Sequence, residues 1–207
     1  AHGYQVAGPL GPAFGYWIAG NTAGSRVDRV DFSNDTATAS LKGNITETRT
    51  KVASVSSMNH AYVAGGPWVP AINDYQTAIA RIDYANDTAT AVRKGQLEDG
   101  QTDATGVGTK DYGYVCGGLP SSKVQRVDYS QDTATASPKG PLSAARRYLA
   151  GVGNRSYGYI SGGTPAPGYM STVDRIDYGN DTATAAVKGS LPFVLISHGA
   201  TGNADYG

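Results

Sequence analysis

Short stretches in which aliphatic and polar residues alternate recur four times along the chain. They read Val-Asp-Arg-Val-Asp-Phe at 27–32, Ile-Ala-Arg-Ile-Asp-Tyr at 79–84, Val-Gln-Arg-Val-Asp-Tyr at 124–129 and Val-Asp-Arg-Ile-Asp-Tyr at 173–178. A period of two places the aliphatic side chains on one face and the polar ones on the other, which predicts β-strands buried on one side. No helical period competes with this signal.

Each alternating stretch is followed by the phrase Asp-Thr-Ala-Thr-Ala, which begins at residues 35, 87, 132 and 181. Self-similarity with a period of about 50 residues indicates a repeat array. A unit of this size is too small to bury a good core alone, so the repeats are expected to pack together into one domain.

Each repeat is predicted to contain four short strands, a to d. In the fourth repeat these are Leu149–Asn154, Tyr157–Gly163, Thr172–Tyr178 and Thr182–Lys188. The a strands are small and glycine-rich, which suits the crowded inner wall of a ring. The d strands alternate Thr with Ala and end in Lys-Gly, which suits an exposed sheet edge. Strand a inside and strand d outside is the arrangement of a β-propeller blade.

The b strand that ends in Tyr-x-x-Gly-Gly, as at 114–118, and the c strand that ends in Asp-Tyr before a turn resemble kelch repeats of the galactose-oxidase-like propellers. The usual tryptophan after the c–d turn is absent, and Thr and Ala stand there instead. The phrase Asn-Asp-Thr-Ala-Thr-Ala is similar to kelch-like repeats in predicted structural proteins of marine phages. The resemblance implies an all-β propeller of four kelch-like, four-stranded blades in a virion component.

The predicted blades span about 2–43, 44–95, 96–140 and 141–189 of a single domain, 1–207. Residues 198–207 repeat the phase of 149–158, so segment 190–207 is expected to close the ring or to overlap its start. Closure of four blades is favoured. The alternatives are a homo-oligomer in which two chains make a larger ring, and a piece of a longer propeller.

Charge and composition remove several classes of partner. Lys and Arg number 17, as do Asp and Glu, so the chain lacks the basic surface that nucleic acid and anionic membranes require. It also lacks an apolar run long enough for a spanning helix, which argues against membrane insertion. The single cysteine, Cys116, leaves no intrachain disulfide to form. An extracellular or virion location follows from the phage resemblance alone.

The repeated polar residues are expected to be structural. Each c-strand arginine has an aspartate two positions on, on the same face of the strand. We expect these pairs to anchor each blade to its neighbour, and the aspartates of the Asp-Thr-Ala-Thr-Ala phrase to cap turns. The arginines are Arg29, Arg81, Arg126 and Arg175; the aspartates of the phrase are Asp35, Asp87, Asp132 and Asp181.

No catalytic constellation is present in the sequence. The histidines, His2, His60 and His198, form no metal-binding motif, and Cys116 lies inside a b strand where a small buried residue is expected. Neither a metal nor another cofactor is therefore expected. An enzyme with a pocket at the ring mouth is the least favoured interpretation.

Two long b–c loops, Pro67–Ala78 and Thr164–Ser171, distinguish the second and fourth repeats. Aromatic residues on variable loops over a rigid scaffold are typical of a recognition surface. The predicted ligand-binding residues are Trp68, Asp74, Tyr75, Arg146, Arg147, Tyr169 and Met170. The predicted function is non-catalytic binding or structural attachment to a glycan or a protein, as in a virion or tail fibre. The alternative is a free carbohydrate-binding lectin with one site per blade or blade junction.

Overall fold

The computed structural model describes residues 14–19, 24–68, 76–119, 121–165 and 167–202. The described residues form fifteen β-strands and three short 3-10 turns. The strands are β1 Phe14–Ile18, β2 Arg26–Asp31, β3 Ser40–Asn44, β4 Ala53–Ser56, β5 His60–Ala64, β6 Ala78–Asp83, β7 Val92–Gln96, β8 Thr105–Gly108, β9 Tyr112–Cys116, β10 Val124–Asp128, β11 Ser137–Lys139, β12 Ala150–Gly153, β13 Tyr157–Ser161, β14 Thr172–Asp177 and β15 Ala186–Ser190.

The strands form four antiparallel meanders, one per repeat. Sheet 1 contains β1–β3, sheet 2 contains β4–β7, sheet 3 contains β8–β11 and sheet 4 contains β12–β15. The alternating stretches are β2, β6, β10 and β14, as predicted. In each pairing, neighbours run antiparallel with short connections, as expected for strands consecutive in sequence.

The first strands of sheets 2, 3 and 4 lie next to one another. Strand β8 contacts β4 on one side and β12 on the other. A Cβ atom at Gly106 in β8 would overlap the Ser54 carbonyl oxygen of β4, so only small residues fit here. The small-residue strands are therefore inside and β7, β11 and β15 are at the far edges. This arrangement confirms the all-β prediction and is compatible with a β-propeller.

The Thr-Ala phrase is not a strand, which corrects the predicted start of strand d. The last repeat forms a 3-10 turn at Tyr178–Asn180, and β15 begins only at Ala186. The Asp177 carboxylate accepts the Gly179 N–H at 2.9 Å, and the Ala183 N–H donates to the Asn180 carbonyl at 3.2 Å. Local hydrogen bonds of this kind compete with strand pairing, so the first half of the phrase is a turn.

Three hydrophobic clusters hold successive sheets together. In each, a fully buried tyrosine of β1, β5 or β9 stacks on the tyrosine that follows β6, β10 or β14 in the next sheet. The ring centroids are 5.0 Å apart for Tyr16–Tyr84, 4.7 Å for Tyr62–Tyr129 and 5.0 Å for Tyr114–Tyr178. Offset aromatic stacks of this kind add to the burial of their apolar area.

Three of the four strand arginines anchor their sheet to the next one, but through other aspartates than predicted. Arg81 Nη1 lies 2.7 Å from Asp132 Oδ2 in the next sheet. Arg29 reaches Asp87 and Arg126 reaches Asp181, both at 2.8 Å. The aspartate two positions on instead accepts a nearby backbone N–H and caps the turn, as Asp177 does. The two predicted aspartate roles are therefore exchanged, because the aspartate of the Asp-Thr-Ala-Thr-Ala phrase lies across the gap between sheets and faces the arginine of the preceding sheet.

The predicted closure of sheet 4 onto sheet 1 is not confirmed. No hydrogen bond or ion pair joins the described residues of these two sheets. Closure was expected to bring residues 198–207 beside residues 2–15, and of these segments 2–13 and 203–207 lie outside the described residues. No helix among the described residues is both long and apolar enough to cross a membrane.

Candidate functional site

At one end of the sheets, the chain enters the inner strands from segments 45–52, 97–104 and 141–149. We call this end the loop face. Two residues before each inner strand, the backbone has a positive φ: 52° at Lys51, 57° at Asp103 and 59° at Tyr148. The Asp103 N–H donates to the Lys51 carbonyl at 3.2 Å, and the Tyr148 N–H to the Asp103 carbonyl at 3.0 Å. Left-handed backbone at non-glycine residues is uncommon and marks a functional candidate. The repeat thus places three unlike side chains side by side.

Four residues at this place form the axial cluster: Lys51, Asp103, Arg147 and Tyr148. Lys51 Nζ is 3.7 Å from Asp103 Oδ2 and 5.8 Å from the centroid of the Tyr148 ring. The Arg147 guanidinium lies 4.9 Å from the same centroid. Cations over an aromatic face are attracted by its quadrupole, so Tyr148 holds both basic side chains close to the carboxylate.

Asp103 is the unusual member of the axial cluster. Its side chain is 1% exposed, and Oδ2 accepts the Thr102 hydroxyl at 3.3 Å. Its Oδ1 is buried and has no hydrogen-bond partner in the part of the chain that the structure describes. Burial raises the pKa of the Asp103 carboxyl, and the positive charges of Lys51 and Arg147 oppose that rise. A buried acceptor without a donor is costly, and here it lies at the loop face beside two cations.

Three predicted residues lie at the loop face with exposed or half-exposed side chains. Trp68 is 42% exposed, and its backbone pairs with Arg49. Tyr169 is 62% exposed, and Met170, which is half-buried, donates its N–H to the Gly163 carbonyl at 2.9 Å. Trp68 belongs to sheet 2 and the other two to sheet 4, so sheet 3 lies between them. Asp74 and Tyr75 lie outside the described residues.

Arg146 is not part of the exposed surface on which the sequence predicts it. The residue is fully buried, and its guanidinium donates to Asp174 at 2.9 Å and to the Ile160 and Thr172 carbonyls at 3.2 Å. Arg49 does the same in sheet 2, donating to the carbonyls of Gly65 and Ala78. The charge of Arg146 is therefore satisfied inside the protein and is not available to a ligand. The bonds of Arg146 hold the loop on which the neighbouring Arg147 lies.

An apolar segment follows β15 and is highly exposed. Phe193 is 75% exposed, and Val194, Leu195 and Ile196 are exposed as well. The segment is held by backbone bonds, from the Gly163 N–H to the Leu195 carbonyl at 2.8 Å and from the Ser197 N–H to the Tyr148 carbonyl at 3.0 Å. Equivalent backbone bonds hold each preceding loop against its sheet. The segment therefore lies where a further inner strand would begin.

A cleft of about 830 Å³ opens on the opposite face, here called the turn face. Sequence reasoning did not predict it. It is lined by the tight turns between the first two strands of sheets 2, 3 and 4 and by the 3-10 turn of sheet 4: Ser56–Met58, Thr109–Tyr112, Arg155–Tyr157 and Asp177–Gly179. Its size is within the range of small-molecule sites.

His60, His198 and Cys116 lie at separate places among the described residues. His198 Nε2 is 3.0 Å from the Ser161 hydroxyl, and burial lowers the pKa of both His198 and His60. Cys116 is fully buried, and burial raises the pKa of its thiol, which disfavours the reactive thiolate. His2 lies outside the described residues. Among the residues that the structure describes, no group of three or more His, Cys, Asp or Glu side chains is placed to hold a metal ion.

Lys51, Asp103 and Tyr148 are the loop-face residues that sequence reasoning missed. The alignment of the repeats could have shown them, because each stands two positions before an inner strand of small residues, where the repeats share no residue type. Positions that differ between repeats, within otherwise similar surroundings, are free to carry specific function.

Comparison with known proteins identifies the fold and no more. No protein-family profile and no curated protein matches the sequence. Among solved structures, 278 chains match, so the fold is widely shared. One, described as "Structure of YjhT", matches with a TM-score of 0.74 at 12% sequence identity, over 92% of this chain and 66% of that chain. The chain thus spans somewhat less than two thirds of that protein's length, and at this identity the likeness shows a common fold alone.

Proposed function

We propose that this chain forms four kelch-like blades of a β-propeller that serves as a non-catalytic binding and attachment module. It recognises a glycan or a protein through its loop face, as a virion or tail-fibre component in an extracellular or virion location. The observation that carries the binding proposal is the unpartnered Asp103 Oδ1 beside Lys51 and Arg147. The virion setting rests on the resemblance of the Asn-Asp-Thr-Ala-Thr-Ala repeats.

The chemistry of the axial cluster favours a ligand that both donates and accepts hydrogen bonds. Lys51, which is partly exposed, donates to a ligand oxygen, and movement of its side chain toward the ligand opens the buried Asp103 Oδ1 to a ligand hydroxyl or amide N–H. Sugar hydroxyls and peptide groups both meet this requirement. Trp68 on the same face offers an apolar ring surface for stacking, and exposed tryptophans of this kind are enriched among residues that dominate binding energy.

A glycan array probed with the wild-type chain and with Trp68→Ala and Asp103→Ala tests the glycan form of the proposal. Each substitution is expected to lower the affinity for a bound glycan about thirtyfold, the effect of losing an anchor residue. Trp17→Ala is the matched control, because Trp17 lies within β1 and is similarly exposed. If the wild-type chain and all three variants bind the glycan with equal affinity, the loop face is not the glycan-binding site.

The protein form is tested by capture of defined virion structural proteins on the immobilised chain. Binding of such a protein that is lost in Trp68→Ala and Asp103→Ala, with no signal on the glycan array, assigns protein attachment and rejects lectin activity. Absence of both signals for the wild-type chain contradicts recognition through the loop face.

The second candidate is a free lectin that uses the cleft of about 830 Å³ on the turn face. Tyrosine rings, a basic side chain and a carboxylate line it, a combination suited to sugars: Tyr112, Tyr157, Arg155 and Asp111. On the same array, Arg155→Ala is expected to abolish this binding and Trp68→Ala to leave it unchanged. The reverse pattern assigns the loop face.

A further inference from the structure

The three junctions between successive sheets share one set of side chains. At each, one aspartate of the following sheet accepts hydrogen bonds from a tyrosine and an arginine of the preceding sheet and forms an ion pair with a lysine of that sheet. The sets are Asp87 with Tyr16, Arg29 and Lys42; Asp132 with Tyr62, Arg81 and Lys94; and Asp181 with Tyr114, Arg126 and Lys139. The arginine and tyrosine contacts are 2.7 to 3.3 Å long. We call this arrangement the aspartate junction.

Burial raises the pKa of Tyr16 and Tyr62 to about 12, so their hydroxyls remain protonated donors at neutral pH. Each aspartate therefore accepts one neutral and one charge-assisted hydrogen bond, and a lysine lies 3.3 to 3.6 Å away as a second cation. Charge-assisted bonds of this kind are stronger and more specific than neutral ones. The aspartate junction is thus a recognition element that this chain uses three times on itself.

Sheet 4 carries the donor half of a fourth aspartate junction. The aligned residues are Tyr159, Arg175 and Lys188. Tyr159 and Arg175 are half-buried and Lys188 is exposed, whereas the tyrosines at the three complete junctions are fully buried. Arg175 contacts the Tyr157 ring at 4.2 Å, but no carboxylate among the described residues pairs with Arg175 or Lys188.

Each sheet has an equivalent glycine in or directly after its outer strand, and these glycines differ in what lies beside them. A Cβ at Gly43, Gly95 or Gly140 would overlap a backbone carbonyl oxygen of the next sheet, so that these positions require glycine. At Gly189, the fourth member of this set, no atom of the described residues lies within 4 Å of the Cβ position. The repeat keeps glycine at 189, where nothing in the described chain demands it.

Sheet 1 carries the acceptor half. Asp35 aligns with Asp87, Asp132 and Asp181, yet it is exposed and has no ion pair among the described residues. Phe32, which aligns with the stacking tyrosines of the other sheets, is 55% exposed. This face of sheet 1 therefore complements sheet 4. The Asp35 carboxylate matches the two cations of sheet 4 in charge, and the Phe32 ring can pack against Tyr159.

We propose that sheet 4 of one chain binds sheet 1 of a second copy of the same chain, head to tail, through a fourth aspartate junction. Asp35 of the second copy accepts from Tyr159, Arg175 and Lys188, Phe32 stacks on Tyr159, and the Asp35 carbonyl accepts the Gly189 N–H. The second copy is favoured over the chain's own sheet 1 because the described residues of sheets 1 and 4 make no bond with each other. Such a heterologous contact closes when the rotation between copies completes a ring.

Sedimentation velocity over a range of concentrations tests the proposal on the 207-residue chain. The wild-type chain is expected to associate, and Asp35→Ala or Arg175→Ala to weaken association about thirtyfold or more, as for truncation of a buried charge pair. Asp111→Ala and Arg155→Ala, exposed residues on the turn face, are the controls and are expected to leave association unchanged.

A charge-reversal pair distinguishes a second copy from self-closure. Asp35→Arg and Arg175→Asp are each expected to be monomeric alone. Mixed together, they are expected to form a mixed dimer, because each face then meets an opposite charge on the other copy. A wild-type chain that stays monomeric at every concentration, with no association in the mixture, overturns the proposal and leaves self-closure or a different occupant.

Gly189→Val separates association from folding. Because the Cβ position at Gly189 is open in the single chain, this variant is expected to unfold at the same urea concentration as the wild type, measured below the association range. It is expected to abolish association, because the added side chain meets the backbone of the second copy. Association that survives Gly189→Val contradicts the proposed junction even if the chain is dimeric.

Discussion

At the scale of single residues, four aspartates of the same phrase have two different environments. Asp87, Asp132 and Asp181 are largely buried and accept bonds from the preceding sheet, whereas Asp35 is exposed. An aspartate in the same local sequence therefore contributes differently to the free energy of unfolding, depending on whether another sheet packs against it. Removing one partner of a buried ion pair is costly because the remaining charges stay buried without compensation.

Asp132→Ala is expected to lower the free energy of unfolding by about 3 kcal/mol, because Arg81, Lys94 and Tyr62 lose their common acceptor. Urea denaturation followed by circular dichroism measures the change. Asp35→Ala is the matched control and is expected to change the stability of the monomer by less than about 0.5 kcal/mol. Equal losses for the two variants would contradict the aspartate junction as the source of stability.

The residue scale is also where sequence reasoning is weakest. Arg146 and Arg147 are adjacent and of one type, yet the first is buried in internal bonds and the second lies over Tyr148 at the loop face. Which of two neighbouring arginines turns inward depends on the backbone of the loop, where alternation gives no guide. Asp103 was missed for the same reason, since its burial depends on the two sheets beside it and not on its own segment.

At the scale of the strand, periodic patterns predicted well and turn chemistry less well. The alternating stretches became β2, β6, β10 and β14, and the stretches of small residues became the inner strands β4, β8 and β12. The outer strands begin later than predicted, because the aspartate that ends strand c caps a 3-10 turn before the Thr-Ala residues. Alternation of Thr and Ala resembles a strand, but the local side-chain acceptor determines the outcome.

Gly95→Ala tests the close approach of outer strands to the next sheet. A Cβ at this position would overlap the backbone carbonyl oxygen of Ala134, which no side-chain rotation relieves. The substitution is expected to lower the free energy of unfolding by about 2 kcal/mol, in the range for forced displacement of packed backbone. Thermal unfolding measures it, with Gly199→Ala as control because that position is open. No difference between the two would mean that sheets 2 and 3 are less closely packed than described.

At the scale of the whole molecule, the succession of sheets could be predicted and the way in which the array ends could not. Each repeat carries its own small inner residues and its own lysine near the outer edge. The spacing of the sheets and the order of their strands could therefore be predicted from the sequence. Whether sheet 4 meets its own sheet 1 depends on the angle between sheets, which accumulates over three junctions from small packing differences. No single residue encodes that angle, although Gly189 and Asp35 mark the two faces concerned.

Because each sheet contacts mainly its neighbours, stability is expected to vary along the array. The Gly95 N–H donates to the Asp132 carbonyl of the next sheet at 2.7 Å, whereas the equivalent N–H of Gly189 has no such acceptor among the described residues. In hydrogen exchange of the dilute chain, we expect β15 to exchange at least about tenfold faster than β7, since exposed edges open with lower free energy. Raising the concentration of the wild-type chain, but not of Gly189→Val, is expected to slow exchange in β15 alone. Equal protection of β15 and β7 in the dilute chain would show that sheet 4 is already covered within one molecule, so the face would not be free for a second copy.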